Sequence, residues 1–239
     1  MTSVVDINSL ISTPEDDPWI KMLIYGPPGR GKTVFSARCP NPIILDTEDG
    51  TSSLRNFPDT EKTPVIKVRN LDRMQEVYRA IATDQIKCDT VVVDTFSELS
   101  NRSMDAWLTQ LNSADPNRDK YLSTWPDFNR NQQVMRRLAL ALRDLPKHII
   151  LICHEREVED KSEGRRYKMP DLAPELAKTM VSMMSVIGRM THRRDDESGT
   201  VTRELQIEGS RTVEAKSRII MGSPVIENPT FEMFLKGST

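Results

Sequence analysis

Eight consecutive residues carry the clearest chemistry in the chain. Gly26-Pro27-Pro28-Gly29-Arg30-Gly31-Lys32-Thr33 fits the pattern G-x-x-x-x-G-K-[ST] at every fixed position. A loop whose backbone N–H groups turn inward makes a concave anion site, and glycines reach the required dihedrals without a Cβ clash. A helix opening near Gly31 adds unpaired N–H groups and the positive end of its dipole. In this reading Lys32, an exposed cation, reaches the β- and γ-phosphates of a nucleotide, and the Thr33 hydroxyl ligates Mg²⁺. The nucleotide contacts run from Gly26 through Pro27, Pro28, Gly29, Arg30, Gly31, Lys32 and Thr33 to Val34. A chance glycine-rich turn is the plain alternative. Against it stand the apolar run Met22-Leu23-Ile24-Tyr25 before the loop and the helix-compatible stretch Lys32 to Arg38 after it, the context the motif requires.

Further acids and one histidine stand where such a loop would need them. Ile43-Ile44-Leu45 is a short apolar strand followed by Asp46, Glu48 and Asp49. Carboxylates at the C-terminal end of a parallel strand lie where open α/β sheets place ligands, so Glu48 can position or deprotonate an attacking water. Solvated acids in a turn explain the same residues. Thr90-Val91-Val92-Val93-Asp94-Thr95 is an unbroken β-branched run closed by an acid, the pattern of a central parallel strand. Asp94 there can hold Mg²⁺ through its water shell, as a Walker B acid does. His148-Ile149-Ile150-Leu151-Ile152-Cys153 is another buried strand, with His154 at its end.

The elements that position these residues follow from periodicity. Pro64 to Val68 reads as a strand, and Leu71, Met74, Val77, Tyr78 and Ile81 recur at helical spacing. Helices are expected from Phe96 to Leu111 and from Asp127 to Leu145, the second burying Val134, Leu138, Leu142 and Leu145. Its Arg130, Arg136, Arg137 and Arg143 read as a solvated face or, less simply, a nucleic-acid surface. A polar loop with Tyr121 and Trp125 at its far end fills 112–125, and 155–170 reads as a mobile hairpin or loop. A helix from Leu172 to Met183 leads to a strand around Val186–Thr191, a turn at Asp195–Gly199 and a strand at Val201–Ile207. The expected domain spans 20–239. Residues 1–19, acidic near their end and carrying Val4, Val5, Ile7, Leu10 and Ile11, are expected to be a mobile leader or a segment that docks on a neighbouring subunit.

Composition narrows the class. The 239 residues can hold one α/β domain with a sizeable core. A net charge of −2 and a pI near 6.0 give no global attraction to nucleic acid or anionic membrane. Cys39, Cys88 and Cys153 are odd in number and far apart, which argues against a disulfide framework or zinc site and suits a reducing cytoplasm. There is no signal-peptide layout, and no apolar run approaches the ~18 residues of a membrane span. A soluble cytoplasmic protein without membrane contact is expected.

The order of motifs resembles the RecA-like ATPase core. It is most similar to the core-only RecA-like proteins of phages, the single-strand-annealing ATPases related to RadA and RecA. The residues that carry the likeness are Gly26–Thr33, Leu45–Glu48, Val91–Leu99, Trp125–Leu145, Ile150–Glu155 and Ala215–Arg218. The resemblance implies an α/β P-loop NTPase with a mostly parallel central sheet flanked by helices and a C-terminal β-hairpin. It implies ATP and Mg as cofactors, Glu48 as catalytic glutamate, Asp94 as Walker B acid, and His154 as γ-phosphate sensor. Residues 112–125 and 155–170 fall at the places of the family's two DNA-contacting loops. Lys216 and Arg218 match a basic pair that reaches across a homo-oligomer interface to the neighbour's ATP, where cations suit the charge on transferring phosphoryl oxygens.

The function so implied is an Mg-dependent ATPase, weak or DNA-stimulated, acting on single-stranded DNA as a ring or filament in the host cytoplasm of a phage. The sequence departs from the family in lacking a separate N-terminal DNA-binding domain, a sizeable C-terminal domain and pronounced basic character. Annealing or single-strand binding is therefore expected rather than strand exchange. A P-loop switch or motor acting on protein partners is the alternative, favoured by the weak basicity. A small-molecule kinase would need an acceptor pocket and lid, for which the sequence has no sign.

Overall fold

The computed structural model describes residues 18–236 except 116, 120 and 162. The apolar run before the phosphate loop forms β1 (Lys21–Tyr25), buried at every position. The other parallel strands are β2 (Pro42–Asp46), β3 (Val65–Lys67), β4 (Thr90–Asp94), β5 (His148–Cys153) and β8 (Val186–Arg194). They lie in the order β3-β2-β4-β5-β1-β8, so β5 separates the Asp94 strand from the phosphate-loop strand. Beyond β8 the sheet turns antiparallel through β9 (Val201–Gln206) and β11 (Val225–Glu227), while β10 (Lys216–Ser217) pairs with the start of β8. This is the α/β class expected: a mostly parallel sheet with helices on both faces and a C-terminal hairpin, β8–β9.

Alternation along each strand divides the core into two layers. Leu23, Tyr25, Val91, Val93, Ile149, Leu151 and Cys153 face α2 (Leu71–Ala82), α3 (Phe96–Ala114), α4 (Trp125–Arg143) and α5 (Pro174–Met183). Met22, Ile24, Val92, Ile150 and Ile152 face α1 (Lys32–Ala37) and α6 (Phe231–Lys236). Side chains on successive strand residues point to opposite faces, so a sheet covered on both sides needs an unbroken apolar run. Each long helix starts at a residue suited to hold it. The Asn70 side chain accepts from Arg73 N, Thr95 accepts from Glu98 N, and Asp127 accepts from both the backbone N–H and the hydroxyl of Thr124.

Three expectations are refined. The buried stripe of α4 is Asn131, Met135, Ala139 and Leu142, while Val134 and Leu138 are only half-buried. The stripe is rotated because Asn131 turns inward and donates to the Ser100 carbonyl, 3.0 Å. Residues 155–170 take the hairpin form of the two expected, as β6 (Glu155–Asp160) and β7 (Arg165–Pro170) in a separate antiparallel ribbon. The polar loop is shorter than 112–125, since α3 continues to Ala114 and α4 begins at Trp125. Of the leader, 1–17 with its apolar residues lies outside the described residues. Trp19 belongs to the fold, its ring edge-on to His148 at 5.1 Å. No described helix is long and apolar enough to cross a membrane.

Candidate active site

The site forms where β1, β2, β4 and β5 end on the same side of the sheet. After Tyr25 the chain passes through Gly26 (φ +147°), Gly29 (φ +74°) and Gly31 (φ +93°), backbone angles that L side chains rarely adopt. Nothing lies within 4 Å of where a Gly29 Cβ would sit, so the outer side of the loop is open. Lys32 is not the exposed cation expected. It is 8 % exposed, and its ammonium donates to the Gly26 carbonyl at 2.7 Å and the Pro27 carbonyl at 2.9 Å. Burial lowers its pKa, with Asp94 the foremost opposing charge. Pro28 lies on the loop's exposed side, and Arg30 contacts His192 on β8, Nη1 to Nδ1 2.8 Å.

The Thr33 hydroxyl donates to Asp94 Oδ2 at 2.7 Å, bringing together the two residues expected at the metal. Burial pushes the Asp94 carboxyl up to about 6, the Thr33 hydrogen bond being the largest opposing influence. A buried carboxylate so poorly compensated, beside a hydroxyl and a loop open to phosphates, fits Mg²⁺. That ion is held by one or two carboxylates together with substrate phosphates rather than by an all-protein cage.

Three acids stand at the end of β2 and just beyond it, and the structure separates them. Asp46 is buried and accepts from Glu48 N and from the Thr51 hydroxyl. Asp49 turns outward to Lys67 and Arg69, and the Lys67 hydrogen bond foremost holds its carboxyl down at about 2. Only Glu48 faces the end of β5. There Glu48 Oε1 meets His154 Nε2 at 2.5 Å and also accepts from the Thr95 hydroxyl. Burial alone would raise the Glu48 pKa, but the hydrogen bonds from His154 and Thr95 outweigh it and hold it below its ordinary value. The same bond raises His154, with burial opposing. Lys32 and Asp94 both feel the Glu48 charge, so the five residues form one electrostatic unit.

The site also contains Thr95, which no catalytic motif singles out. Its signal was present: Thr95-Phe96-Ser97-Glu98 fits the S/T-x-x-E start of a helix, which fixes this hydroxyl at the N-terminus of α3. Lys216 and Arg218 are not brought to this site. β10 pairs Lys216 with Ile187, level with Leu23, and Arg218 N donates to the Ser185 carbonyl still farther from the loop. Three strand residues from Leu23 to Gly26 make about 10 Å. Their side chains instead donate to the carbonyls of Val181 and Ser182 at the end of α5.

Beside the loop lies a cavity of about 830 Å³, lined by Gly31, Val34, Arg38, Arg203, Asn228 and Pro229 among others. It continues the phosphate loop along α1 and is large enough for the base and sugar of a nucleotide.

A strand–glycine loop–helix, with Thr33 against a strand-end aspartate and a glutamate at the next strand end, defines a P-loop ATPase core. A family model described as an AAA domain matches residues 19–219, and the chain belongs to that family. No curated protein matches the sequence. Among solved structures, the flagellar accessory protein FlaH from Methanocaldococcus jannaschii is similar, at 10% identity and a TM-score of 0.42 over 87% of this chain and 84% of that one.

Proposed function

We propose that the chain is an Mg-dependent ATP hydrolase that acts on single-stranded DNA as a homo-oligomer, in the manner of the core-only phage annealing ATPases, in the host cytoplasm. The observation that carries the hydrolase is the convergence of Glu48, His154 and Thr95 beside Lys32, Thr33 and Asp94. Lys32 and the loop N–H groups bind the phosphates, and Val34 adjoins them on the cavity wall. Thr33 and Asp94 would hold Mg²⁺, whose charge would offset that of the nucleotide phosphates. Glu48 orients a water and takes its proton at the carboxylate, the only one of the three acids Asp46, Glu48 and Asp49 turned to the end of β5. His154 shares that carboxylate, so it follows any change at the reacting oxygen and relays it to β6, which begins at the next residue. Lys216 and Arg218, set apart from their own loop, serve the site of a neighbouring subunit.

The DNA part rests on a groove of about 610 Å³ between α3, α4 and the start of α5. Trp125 and Phe128 line it and Tyr121 lies just before them; Tyr121 and Trp125 are 85% and 76% exposed. Ser97, whose hydroxyl accepts from His154 N at 3.2 Å, is part of its floor. Exposed aromatics next to a nucleotide sensor suit base stacking, worth about 1–3 kcal/mol per base. A second reading, a switch acting on a protein partner, is favoured by the β6–β7 ribbon. There Glu157 faces Lys168, Glu159 faces Arg166 and Asp160 faces Arg165, leaving little free positive charge for phosphates.

Phosphate release measured with Mg-ATP, with and without single-stranded oligonucleotide, separates the readings. Turnover stimulated by the oligonucleotide is expected. Turnover without stimulation, together with no change in anisotropy of a labelled oligonucleotide, would favour the protein partner. No turnover and no ATP binding would end both.

A further inference from the structure

We propose that Arg203, on the chain's own C-terminal hairpin, is a nucleotide-binding residue that pairs with the phosphates from outside the loop. Residues Gly26–Thr33 read as the phosphate cradle by motif, whereas Arg203 stands about 170 positions later in a stretch with no motif. The β8–β9 hairpin nevertheless packs directly on the loop at three points. A Cβ on Gly26 would stand 2.2 Å from the Met190 carbonyl oxygen. Arg30 contacts His192, and His192 lies opposite Arg203 in the β8–β9 register. A Cβ on Gly31 would stand 2.6 Å from Arg203 Nε, so the arginine side chain lies against the residue that immediately precedes Lys32.

Its root is fixed on both sides. Arg203 N donates to Asn228 Oδ1 at 3.2 Å, and Asn228 N donates to the Arg203 carbonyl at 2.7 Å. The guanidinium, by contrast, has no hydrogen-bond or ion-pair partner among the described residues, although the residue is half-buried. Other arginines of the region are matched. Arg193 pairs with Glu204 and Glu227, Arg189 with Glu155, and Arg38, on the same cavity, with Asp59. A half-buried guanidinium on a rigid strand, unpaired and facing a cavity that opens from a phosphate loop, lacks only its anion. Five donors in a planar fork suit phosphate oxygens in particular. Unlike Lys216 and Arg218, Arg203 acts on the nucleotide of its own chain.

This inference rests on the nucleotide-binding reading above, and the test keeps the two apart. Binding of a fluorescent ATP and ADP analogue is titrated on the full chain and on Arg203→Ala and Arg203→Lys at two salt concentrations, beside thermal melting without nucleotide. The Ala variant is expected to melt like wild type and to bind both nucleotides about tenfold more weakly or worse, the loss expected for one charged hydrogen bond. The Lys variant should recover part of that loss, and added salt should narrow the gap between wild type and Ala. In hydrolysis measured across a range of ATP concentrations, the Ala variant should raise KM more than it lowers kcat, the mark of lost uniform binding. Wild-type affinity in the Ala variant overturns the assignment. A Lys variant no better than Ala, with a gap that ignores salt, also overturns it, because the contact is then stacking on the base. Failure of the wild-type chain itself to bind ATP overturns the nucleotide reading instead.

Discussion

Gly26→Ala tests whether the phosphate loop is held by its own sequence or by the strand beneath it. Gly26 has φ +147°, and a Cβ there would lie 2.2 Å from the Met190 oxygen, 3.2 Å from its carbonyl carbon and 3.4 Å from its nitrogen. The neighbour is backbone rather than a side chain that could swing away. Met190 is itself paired with Leu205 of β9 and follows Arg189, which is paired with Tyr25 of β1, so its carbonyl can yield only if the sheet distorts. The backbone angle costs about 1–3 kcal/mol and the overlap about as much again. Against a total stability of about 5–15 kcal/mol the sum is severe. Gly29→Ala is the matched control: φ is +74° and nothing lies within 4 Å, so only about 1–2 kcal/mol is at stake. Urea unfolding of the nucleotide-free proteins reads the difference. With a slope of about 2–3 kcal/mol per molar, Gly26→Ala should unfold about 1 M earlier than Gly29→Ala. Equal midpoints would refute the reasoning, since β8 would then not be rigid against the loop.

Glu48→Gln should still bind ATP and hydrolyse it about 10²–10⁴-fold more slowly, whereas Asp49→Asn, whose carboxylate faces Lys67 and Arg69, should hydrolyse at the wild-type rate; equal losses in a phosphate-release assay would count against Glu48. The Glu48–His154 pair has a defined pH window. Raised above its ordinary 6.5, His154 contributes stability that is complete below 6.5 and lost as pH rises through the raised value. Lowered below its ordinary 4.5, Glu48 contributes stability that is complete above 4.5 and lost as pH falls through the lowered value. NMR titration should find His154 above 6.5 in wild type and lower in Glu48→Gln, and an unmoved titration would deny the pairing. The double variant Lys216→Ala, Arg218→Ala should bind ATP normally and hydrolyse it poorly, and mixing it with Lys32→Ala should restore some turnover; two inactive proteins that stay inactive despite demonstrated subunit exchange would rule out action in trans.

What the sequence reveals and what it hides have physical causes. β1, β4 and β5 are legible because a strand covered on both faces must be apolar throughout, and the polar residue that ends the run marks the ligand side. Gly26–Thr33 is legible because phosphate binding restricts both side chains and dihedrals. The β6–β7 ribbon is harder to read as strands. Its stabilising pairs are charges facing one another across strands, and Val158 opposite Tyr167 is its one apolar pair of large side chains. The α4 stripe misleads because the buried Asn131 breaks the apolar rule by bonding to α3. The burial of Lys32 comes from its loop curling back so that the Gly26 and Pro27 carbonyls take its ammonium, and the contact between Gly31 and Arg203 depends on how a distant hairpin folds back; spacing along the chain holds no trace of either.

The structure also joins the chemical end of β5 to the basic pair through named bonds. His154 leads directly into Glu155, which accepts Arg189 of β8 at 2.6 Å and lies 3.7 Å from Lys168 of β7. Lys168 N donates to the Thr212 carbonyl at 2.8 Å, and Glu214 N donates to the Lys168 carbonyl at 2.9 Å, two residues before Lys216. Tyr25, the last residue of β1 before the loop, closes the circuit. Its hydroxyl lies 3.0 Å from the Lys168 carbonyl and 2.7 Å from the Glu214 carbonyl, both acceptors. A phenol has one proton, so it can donate fully to only one of them at a time. Tyr25 before the phosphate loop, Lys168 of the ribbon and Glu214, two residues before Lys216, therefore meet at a single buried hydroxyl.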